Sequence, residues 1–250
     1  MNAVAASPSY GWVGRRIPVC SRVNATERMR PMRKRLLIIG LIVFFMSAVA
    51  LIAYRVFFVR MIRVPTGAMA NTIVPGDCLV VKRLFGEVKR GDIVIFRYQS
   101  EPSIQYISRV VGLPGETIQV RDTSVYINDK PIPEQRVFVN YPYDFDFGVL
   151  DEISTEGAGP YRVFYFKRDK NILPTMSEGM KFAVTEPFHI SDNQYFVMGD
   201  NRDNSLDSRL KGTLSRDLIW GKPTRIYWSS HQNQSDQEEI KWGRLGKTVR

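Results

Sequence analysis

The chain has 250 residues, 44% of them hydrophobic, and a formal net charge of +10. This length and hydrophobic content allow a sizeable core, in one domain plus an anchor or in two small domains. Two cysteines and two histidines argue against a disulfide scaffold and a zinc cluster, and His189 is interpreted as structural. Eight Lys and Arg residues but one Glu lie within residues 1–35, so the charge indicates membrane topology rather than a nucleic-acid partner.

An uncharged apolar run from Leu36 to Ala53 follows these basic residues, and it resumes after one arginine as far as Val59. About 20 residues are needed to cross the hydrocarbon core of a bilayer. The pattern therefore predicts a basic tail over residues 1–35 and a transmembrane helix over residues 36–59. Because Lys and Arg precede the run, we expect a cytoplasmic N-terminus, with Cys20 and Cys78 on opposite sides of the membrane.

The alternative for the same apolar run is a cleaved signal peptide, since Ala48-Val49-Ala50 has the small-x-small form of a cleavage site. The run is longer than the usual ~7–15 residues of a signal-peptide core and continues beyond that point. A retained anchor is therefore favoured.

Short strand-like runs separated by Gly, Pro and Asp begin after the anchor, a pattern typical of a mainly antiparallel, all-β domain. The clearest runs are residues 78–81, 93–96, 117–120 and 124–127. We expect this domain to span residues 60–228, with an inserted β subdomain at about 140–185. The polar and charged residues 229–250 predict a solvated C-terminal tail of little order.

Four motifs follow the anchor in order, at residues 65–77, 91–98, 106–116 and 198–209. The first begins Pro-Thr-Gly-Ala-Met and ends Pro-Gly-Asp, and the second begins Gly-Asp-Ile-Val-Ile-Phe. The third reads Tyr-Ile-Ser-Arg-Val-Val-Gly-Leu-Pro-Gly-Glu, and the fourth Met-Gly-Asp-Asn-Arg-Asp-Asn-Ser-Leu-Asp-Ser-Arg. In these motifs the chain resembles the type I signal peptidases, membrane-bound serine proteases that remove signal peptides from exported proteins. The resemblance covers roughly residues 36–229, and it implies the all-β signal peptidase I fold behind one N-terminal transmembrane helix.

The resemblance also implies a catalytic serine–lysine pair, a known variant of the serine-protease triad. In this register the nucleophile position is Ala68 and the general-base position is Ser108. A methyl group cannot attack a carbonyl, a serine hydroxyl is no base near neutral pH, and the neighbouring Arg109 cannot lose its proton. Asn71, which replaces a proline of the family motif, is a milder departure. We therefore expect a catalytically impaired or inactive member of the family.

Other positions of the family's site are kept in this sequence. By resemblance, the Thr66 hydroxyl and the backbone amide of Ala68 form the oxyanion hole. Ser205 corresponds to the serine that hydrogen-bonds the catalytic lysine, and Asp207 and Arg209 correspond to a structural ion pair near the site. A site for holding a carbonyl is therefore expected to remain after the loss of the catalytic side chains.

Three functions stay open at this point. The favoured one is a non-catalytic signal peptidase-like protein of the export pathway, which keeps an apolar groove for signal-peptide ends or for the membrane surface. The second is a working signal peptidase with an altered nucleophile, either Thr66 or Ser108, and the third is a structural partner of an active paralogue.

The expected partners are the signal peptides of exported preproteins, the lipid bilayer, and the secretion machinery or an active paralogue. Nucleic acid, cofactors and metals are not expected. The expected location is the inner or plasma membrane, as a single-pass protein with its β domain on the extracytoplasmic side.

Overall fold

The protein is described by a computed structural model over residues 25–70, 72–139, 152–166, 180–184, 186–232 and 237–250. Two compact units divide the chain, Met1–Ile52 and Ala53–Arg250. Cys20, Asn71 and most of the insertion expected at about 140–185 lie outside the described residues.

The N-terminal element is one long helix, α1 (Ala25–Phe58). Its segment Lys34–Tyr54 has 21 residues with a mean hydropathy of 3.0, and by length and composition alone it is long and apolar enough to cross a membrane. At ~1.5 Å per residue, a span of that length covers the ~30 Å of a hydrocarbon core. The helix begins before the apolar run because Arg, Lys and Met are strong helix formers.

The described residues after this helix form mainly antiparallel β structure, as the sequence predicted. Its strands are β1 (Val59–Arg63), β2 (Asp77–Arg83), β3 (Ile93–Phe96), β4 (Tyr106–Gly112), β5 (Thr117–Arg121), β6 (Ser124–Ile127), β7 (Lys130–Pro131), β8 (Gln135–Val139), β9 (Glu152–Glu156), β10 (Arg162–Phe166), β11 (Phe188–His189), β12 (Gln194–Met198), β13 (Leu214–Ser215), β14 (Ile219–Gln232) and β15 (Glu238–Ile240). A short helix, α2 (Ser208–Lys211), lies between β12 and β13, and short 3-10 turns follow at Arg216–Leu218 and Trp242–Arg244.

These strands form three sheets. The largest has eight strands in the order β1-β2-β14-β3-β4-β12-β13, with β15 paired to β14. A four-stranded sheet has the order β11-β5-β6-β7, and a three-stranded sheet the order β10-β8-β9. Within the three-stranded sheet, β8 and β10 run parallel, the one parallel pair among the strands described.

The turns explain why the strand boundaries could be read from the sequence. Asn128 and Asp129 both have positive φ, of 50° and 61°, and they join β6 to β7 in the way that favours these residue types in hairpins. Gly76, with φ 85°, precedes β2, and a Cβ atom on it would lie 1.7 Å from the carbonyl oxygen of Ser230. Only glycine fits at that position, which fixes where the first motif ends and β2 begins.

One apolar cluster of the core lies directly beneath the first motif, and we call it the site cluster. Its buried members are Val64, Met69, Ile73, Leu79, Val81, Ile93, Ile95 and Ile226. Four partly buried residues pack against it, Ile62, Ile107, Trp220 and Val249. The cluster therefore joins β1, the first motif, the centre of the large sheet and the C-terminal segment.

The C-terminal segment differs from the tail of little order that its polar composition led us to expect. Strand β14 continues to Gln232, β15 pairs with it, and the chain then returns alongside β14. Backbone hydrogen bonds join Ile226 to Lys247 and to Gly246, at 3.0 and 2.8 Å, and Val249 to Thr224 at 3.0 Å. This segment is ordered mainly by backbone hydrogen bonds, which any residue can make. Its side chains therefore lack the apolar periodicity from which a strand is predicted.

Candidate active site

The loop between β1 and β2 carries Ala68, the predicted nucleophile position. Its backbone turns on itself, with Ala70 N donating to Gly67 O at 3.0 Å and Ile73 N to Met69 O at 2.9 Å. Met69 and Ile73 are buried in the site cluster, whereas Ala68 is half-buried. Two apolar side chains therefore fix the loop, and Ala68, directly before the first of them, is left accessible from outside.

A second segment, residues 199–209, fastens to the Ala68 loop. Asn201 donates from its backbone N to Ala68 O and from Nδ2 to Gly67 O, each at 3.1 Å. A Cβ atom on Gly199 would lie 2.5 Å from Ala68 O and 2.3 Å from Ser205 Oγ. The structure thus brings two predicted site residues, Ala68 and Ser205, to the same point beside Gly199, where no larger residue fits.

Ser108, the predicted base position, is 2% exposed on β4 and lies opposite Val94 of β3. The next residue, Arg109, makes a two-pronged ion pair with Asp200, with Nε–Oδ1 and Nη2–Oδ2 distances both of 2.7 Å. Since Asp200 follows Gly199 directly, this pair ties the strand of Ser108 to the segment beside Ala68. Burial by itself lowers the pKa of Arg109, but Asp200 raises it more, so the pKa lies above its ordinary value. Arg109 therefore stays charged and cannot accept a proton.

Thr66, the other predicted oxyanion-hole residue, is exposed two positions before Ala68. At the far end of the same loop, Thr72 Oγ1 donates to Asp200 Oδ2 at 2.6 Å. Asp200 is fully buried. It accepts hydrogen bonds from Thr72 of the loop and from Arg109 of β4.

Asp207 and Arg209 form a second two-pronged ion pair, with Nε–Oδ1 and Nη2–Oδ2 distances of 2.9 and 2.8 Å. Asp207 Oδ2 also accepts from the backbone N of Gly199 at 3.0 Å, and Oδ1 accepts from the backbone N of Arg209, which caps α2. Arg209 Nη2 donates to Arg202 O at 2.7 Å. The pair therefore fixes the backbone of residues 199–209 at Gly199, at Arg202 and at the start of α2.

Sequence reasoning missed the charged network behind these two pairs. Arg202, fully buried, is paired with Glu134, which is 6% exposed, and its Nη1 lies 3.0 Å from Oε2. Tyr161 joins this pair to the first one, because its hydroxyl donates to Glu134 Oε1 at 2.9 Å and its ring lies 4.2 Å from Arg109 Cζ. The sequence signal for this network was a charged residue, Arg109, within the buried strand β4, since a buried charge requires a partner.

The C-terminal segment also contacts the site loop, which the sequence did not indicate. Arg244 donates from Nε and Nη2 to the two carboxylate oxygens of Asp77, at 2.9 and 2.6 Å, and from Nη2 to Thr72 O at 3.1 Å. Asp77 is fully buried and its Oδ2 also accepts from Val74 N at 2.9 Å. Farther along, Arg109 Nη2 donates to Arg250 O at 3.1 Å.

One lysine does approach β4 on the face that carries Ser108. Lys211 Nζ lies 5.4 Å from the ring centroid of Tyr106, which is two residues before Ser108 and so shares its face of the strand. Lys211 Nζ is also 2.7 Å from Glu101 Oε1. Burial lowers the pKa of Lys211, but the hydrogen bonds to Glu101 and Tyr106 raise it more, to above its ordinary value. This lysine is therefore held as a cation and is not available as a general base.

Comparisons with known proteins agree on one family. A family model described as signal peptidase, peptidase S26, matches residues 37–228. Signal peptidase I of Buchnera aphidicola subsp. Schizaphis graminum is 29% identical over 226 residues, which cover 73% of this chain and 72% of that protein. Signal peptidase I of Rickettsia typhi is 31% identical over 210 residues, which cover 74% and 78%. The solved structure of a signal peptidase I from Enterococcus faecalis V583 matches with 22% identity and a TM-score of 0.33, over 56% of this chain and 98% of that one.

Proposed function

The chain belongs to the signal peptidase family, peptidase S26, and on that premise we propose that it recognises the signal peptides of exported preproteins without cleaving them. One observation supports the proposal: the Ala68 loop is fastened to residues 199–209 beside Gly199, and the Arg109–Asp200 ion pair ties β4, the strand of Ser108, to the same residues. We infer that this framework can hold a peptide although neither Ala68 nor Ser108 can cut it.

The expected loss of activity follows from the size of the catalytic contribution. In a serine protease, removing either the nucleophile or its base costs on the order of a million-fold in turnover, and removing both costs little more. Arg109 on β4 and Lys211 beside Tyr106 both have pKa values above their ordinary range, so neither replaces the missing base. These two raised pKa values argue against a working peptidase with an altered nucleophile.

Peptide binding requires less than catalysis. A backbone amide is unaffected by the side chain at Ala68, so this N–H and the exposed Thr66 hydroxyl are proposed to hold a substrate carbonyl. Beside them, the site cluster presents the partly buried Ile62 and Ile107. Apolar walls of this kind suit the small side chains at the end of a signal peptide, which can pack there without bringing a buried polar group.

The proposed location is a membrane, with Lys34–Tyr54 as a retained anchor. The basic residues before the span support an N-terminus on the cytoplasmic side and a β domain on the other. A membrane-impermeant thiol reagent applied to intact cells tests this orientation, because Cys78 is half-buried rather than closed off whereas Cys20 lies before the span. Modification of Cys20 without Cys78 would contradict it.

A binding assay on the full-length protein in detergent tests the recognition. We expect a fluorescent signal peptide ending Ala-x-Ala to bind, and a matched peptide with Asp at both Ala positions to bind at least ~10-fold more weakly, as burying an unpaired charge is costly. Thr66→Val should weaken binding by about 2- to 13-fold, the range for one hydrogen bond, and the control Thr123→Val should leave it unchanged. Equal binding of both peptides would contradict recognition, leaving the structural partner of an active paralogue, and cleavage of the first would contradict inactivity.

A further inference from the structure

A basic cleft lies on the surface of the large sheet, and its lining includes no residue of the Ala68 loop or of residues 199–209. It has a volume of about 360 Å³ and is lined by Lys82, Arg83, Phe85, Lys222, Pro223 and Val249, among others. Its walls are thus a mixture of cationic side chains and apolar ones. This combination matches a ligand with an anionic group attached to an apolar body.

The register of the sheet concentrates positive charge in this cleft. Lys82 of β2 is directly opposite Lys222 of β14, so two ammonium groups share one face of adjacent strands, an arrangement that is destabilising by itself. Asp92 relieves part of the repulsion, since its Oδ1 lies 2.5 Å from Lys222 Nζ. Among the described residues, Lys82 and Arg83 have no carboxylate partner. An anion bound between them would therefore relieve a repulsion that the fold leaves in place.

The apolar side of the cleft continues from Phe85 to the C-terminal end of α1. Phe85 is 67% exposed, its ring is 5.7 Å from the ring of Phe58, and Arg83 Cζ lies 5.8 Å from the same Phe85 ring. Phe58 in turn stacks on Tyr54 at 5.3 Å, and Tyr54 is the last residue of the span. An apolar surface therefore runs from Phe85 to the last turn of α1.

We propose that this cleft binds the phosphate headgroup of an anionic phospholipid. The cations of Lys82 and Arg83 pair with the phosphate, and the exposed ring of Phe85 lies against the upper part of the acyl chains. Phosphate suits a pair of adjacent Lys and Arg side chains, because it accepts several charge-assisted hydrogen bonds at once. The site is independent of the proposed recognition of signal peptides, since it uses no residue of the Ala68 loop.

Titration calorimetry on the full-length protein in a neutral maltoside detergent tests the proposal. Dihexanoyl phosphatidylglycerol is the probe, with dihexanoyl phosphatidylcholine and inorganic phosphate as the comparison ligands. We expect phosphatidylglycerol to bind at least ~10-fold more tightly than either comparison ligand. Lys82→Gln with Arg83→Gln should weaken its binding at least ~10-fold, whereas the charge-matched control Lys89→Gln with Lys130→Gln should change it less than ~2-fold.

A second variant approaches the cleft from its opposite wall. Thr248 is exposed and lines the cleft, so Thr248→Glu introduces a carboxylate without touching the cations and should also weaken phosphatidylglycerol binding. Equal binding of phosphatidylcholine would overturn the requirement for an anion, and equal binding of inorganic phosphate would overturn a lipid as the ligand. Phosphatidylglycerol binding that survives both cleft variants would place it elsewhere, for instance at the basic residues before the span, and would overturn the site itself.

Discussion

The two halves of the site differ in what their side chains do for the fold. Residues 199–209 carry buried charges that bind other parts of the protein, among them Asp200, Arg202 and Asp207, all 0% exposed. Ala68 and Ser108, the predicted nucleophile and base positions, by contrast have small uncharged side chains that form no ion pair, although the backbone oxygen of Ala68 accepts a hydrogen bond from Asn201 N. The framework around residues 199–209 is therefore also part of the core, whereas the proposed catalytic positions hold two small residues. Replacing those two residues does not require loss of the buried ion pairs.

The largest effect we predict is the loss of one partner from a buried ion pair. Arg109→Ala leaves the fully buried Asp200 without its two-pronged partner, and removing one member of such a pair typically costs about 3–5 kcal/mol of unfolding free energy. Urea unfolding of the purified protein measures it. Ser108→Ala, one residue away on the same strand, is the matched control and should cost less than ~1 kcal/mol. Similar losses of unfolding free energy from the two variants would contradict the account in which Arg109 supports the fold and Ser108 does not.

An intermediate effect is predicted for the C-terminal segment. Arg244→Ala removes two hydrogen bonds to Asp77 and one to Thr72 O, and hydrogen bonds to charged groups contribute about 1.5–3 kcal/mol. We expect a loss of about that size together with faster proteolysis of the loop at residues 65–77. The control Lys247→Ala, an exposed residue of the same segment, should leave both unchanged. An unchanged loop in Arg244→Ala would show that the C-terminal segment does not brace the site.

The smallest effect is a pH dependence outside the site. Hydrogen bonds from Lys211 and Tyr106 lower the pKa of Glu101 below its ordinary value of about 4.3. A carboxyl with a depressed folded pKa contributes stability above its unfolded pKa, and that contribution is lost as the pH falls through the folded pKa. Lys211→Met should therefore lower the Tm slightly at pH 7, and the difference from the parent should shrink toward pH 3. A Tm difference that stays constant over this range would contradict the Glu101–Lys211 interaction.

Local patterns in the sequence were sufficient for much of the β domain. Turn residues such as Asn128 and Gly76 require backbone conformations that other residues rarely adopt, so strand boundaries follow from them. The motifs likewise place Ala68 and Ser205 in register, although these residues are far apart in the chain and meet only beside Gly199.

Contacts between residues that are far apart in the sequence could not be predicted from local patterns. Tyr161 lies between Arg109 and Glu134, and Arg244 binds Asp77, because the sheets fold back on one another and not because of any local pattern. The parallel pairing of β8 with β10 is equally non-local. Sequence reasoning also treated the polar C-terminal segment as unordered, since its order comes from backbone hydrogen bonds, which composition does not reveal.

Restoring the two missing groups tests the central claim most directly. Full-length Ala68→Ser with Ser108→Lys should cleave a preprotein after small residues, as judged by mass spectrometry of the products. Each single variant should stay at the background of the parent, because a nucleophile without a base, or a base without a nucleophile, performs no acyl transfer and the two act as one unit. Measurable cleavage by the double variant alone is the result we predict. A folded, membrane-inserted double variant with no activity would contradict the claim that the framework of the site is intact, and cleavage by the parent would contradict the claim that its chemistry is gone.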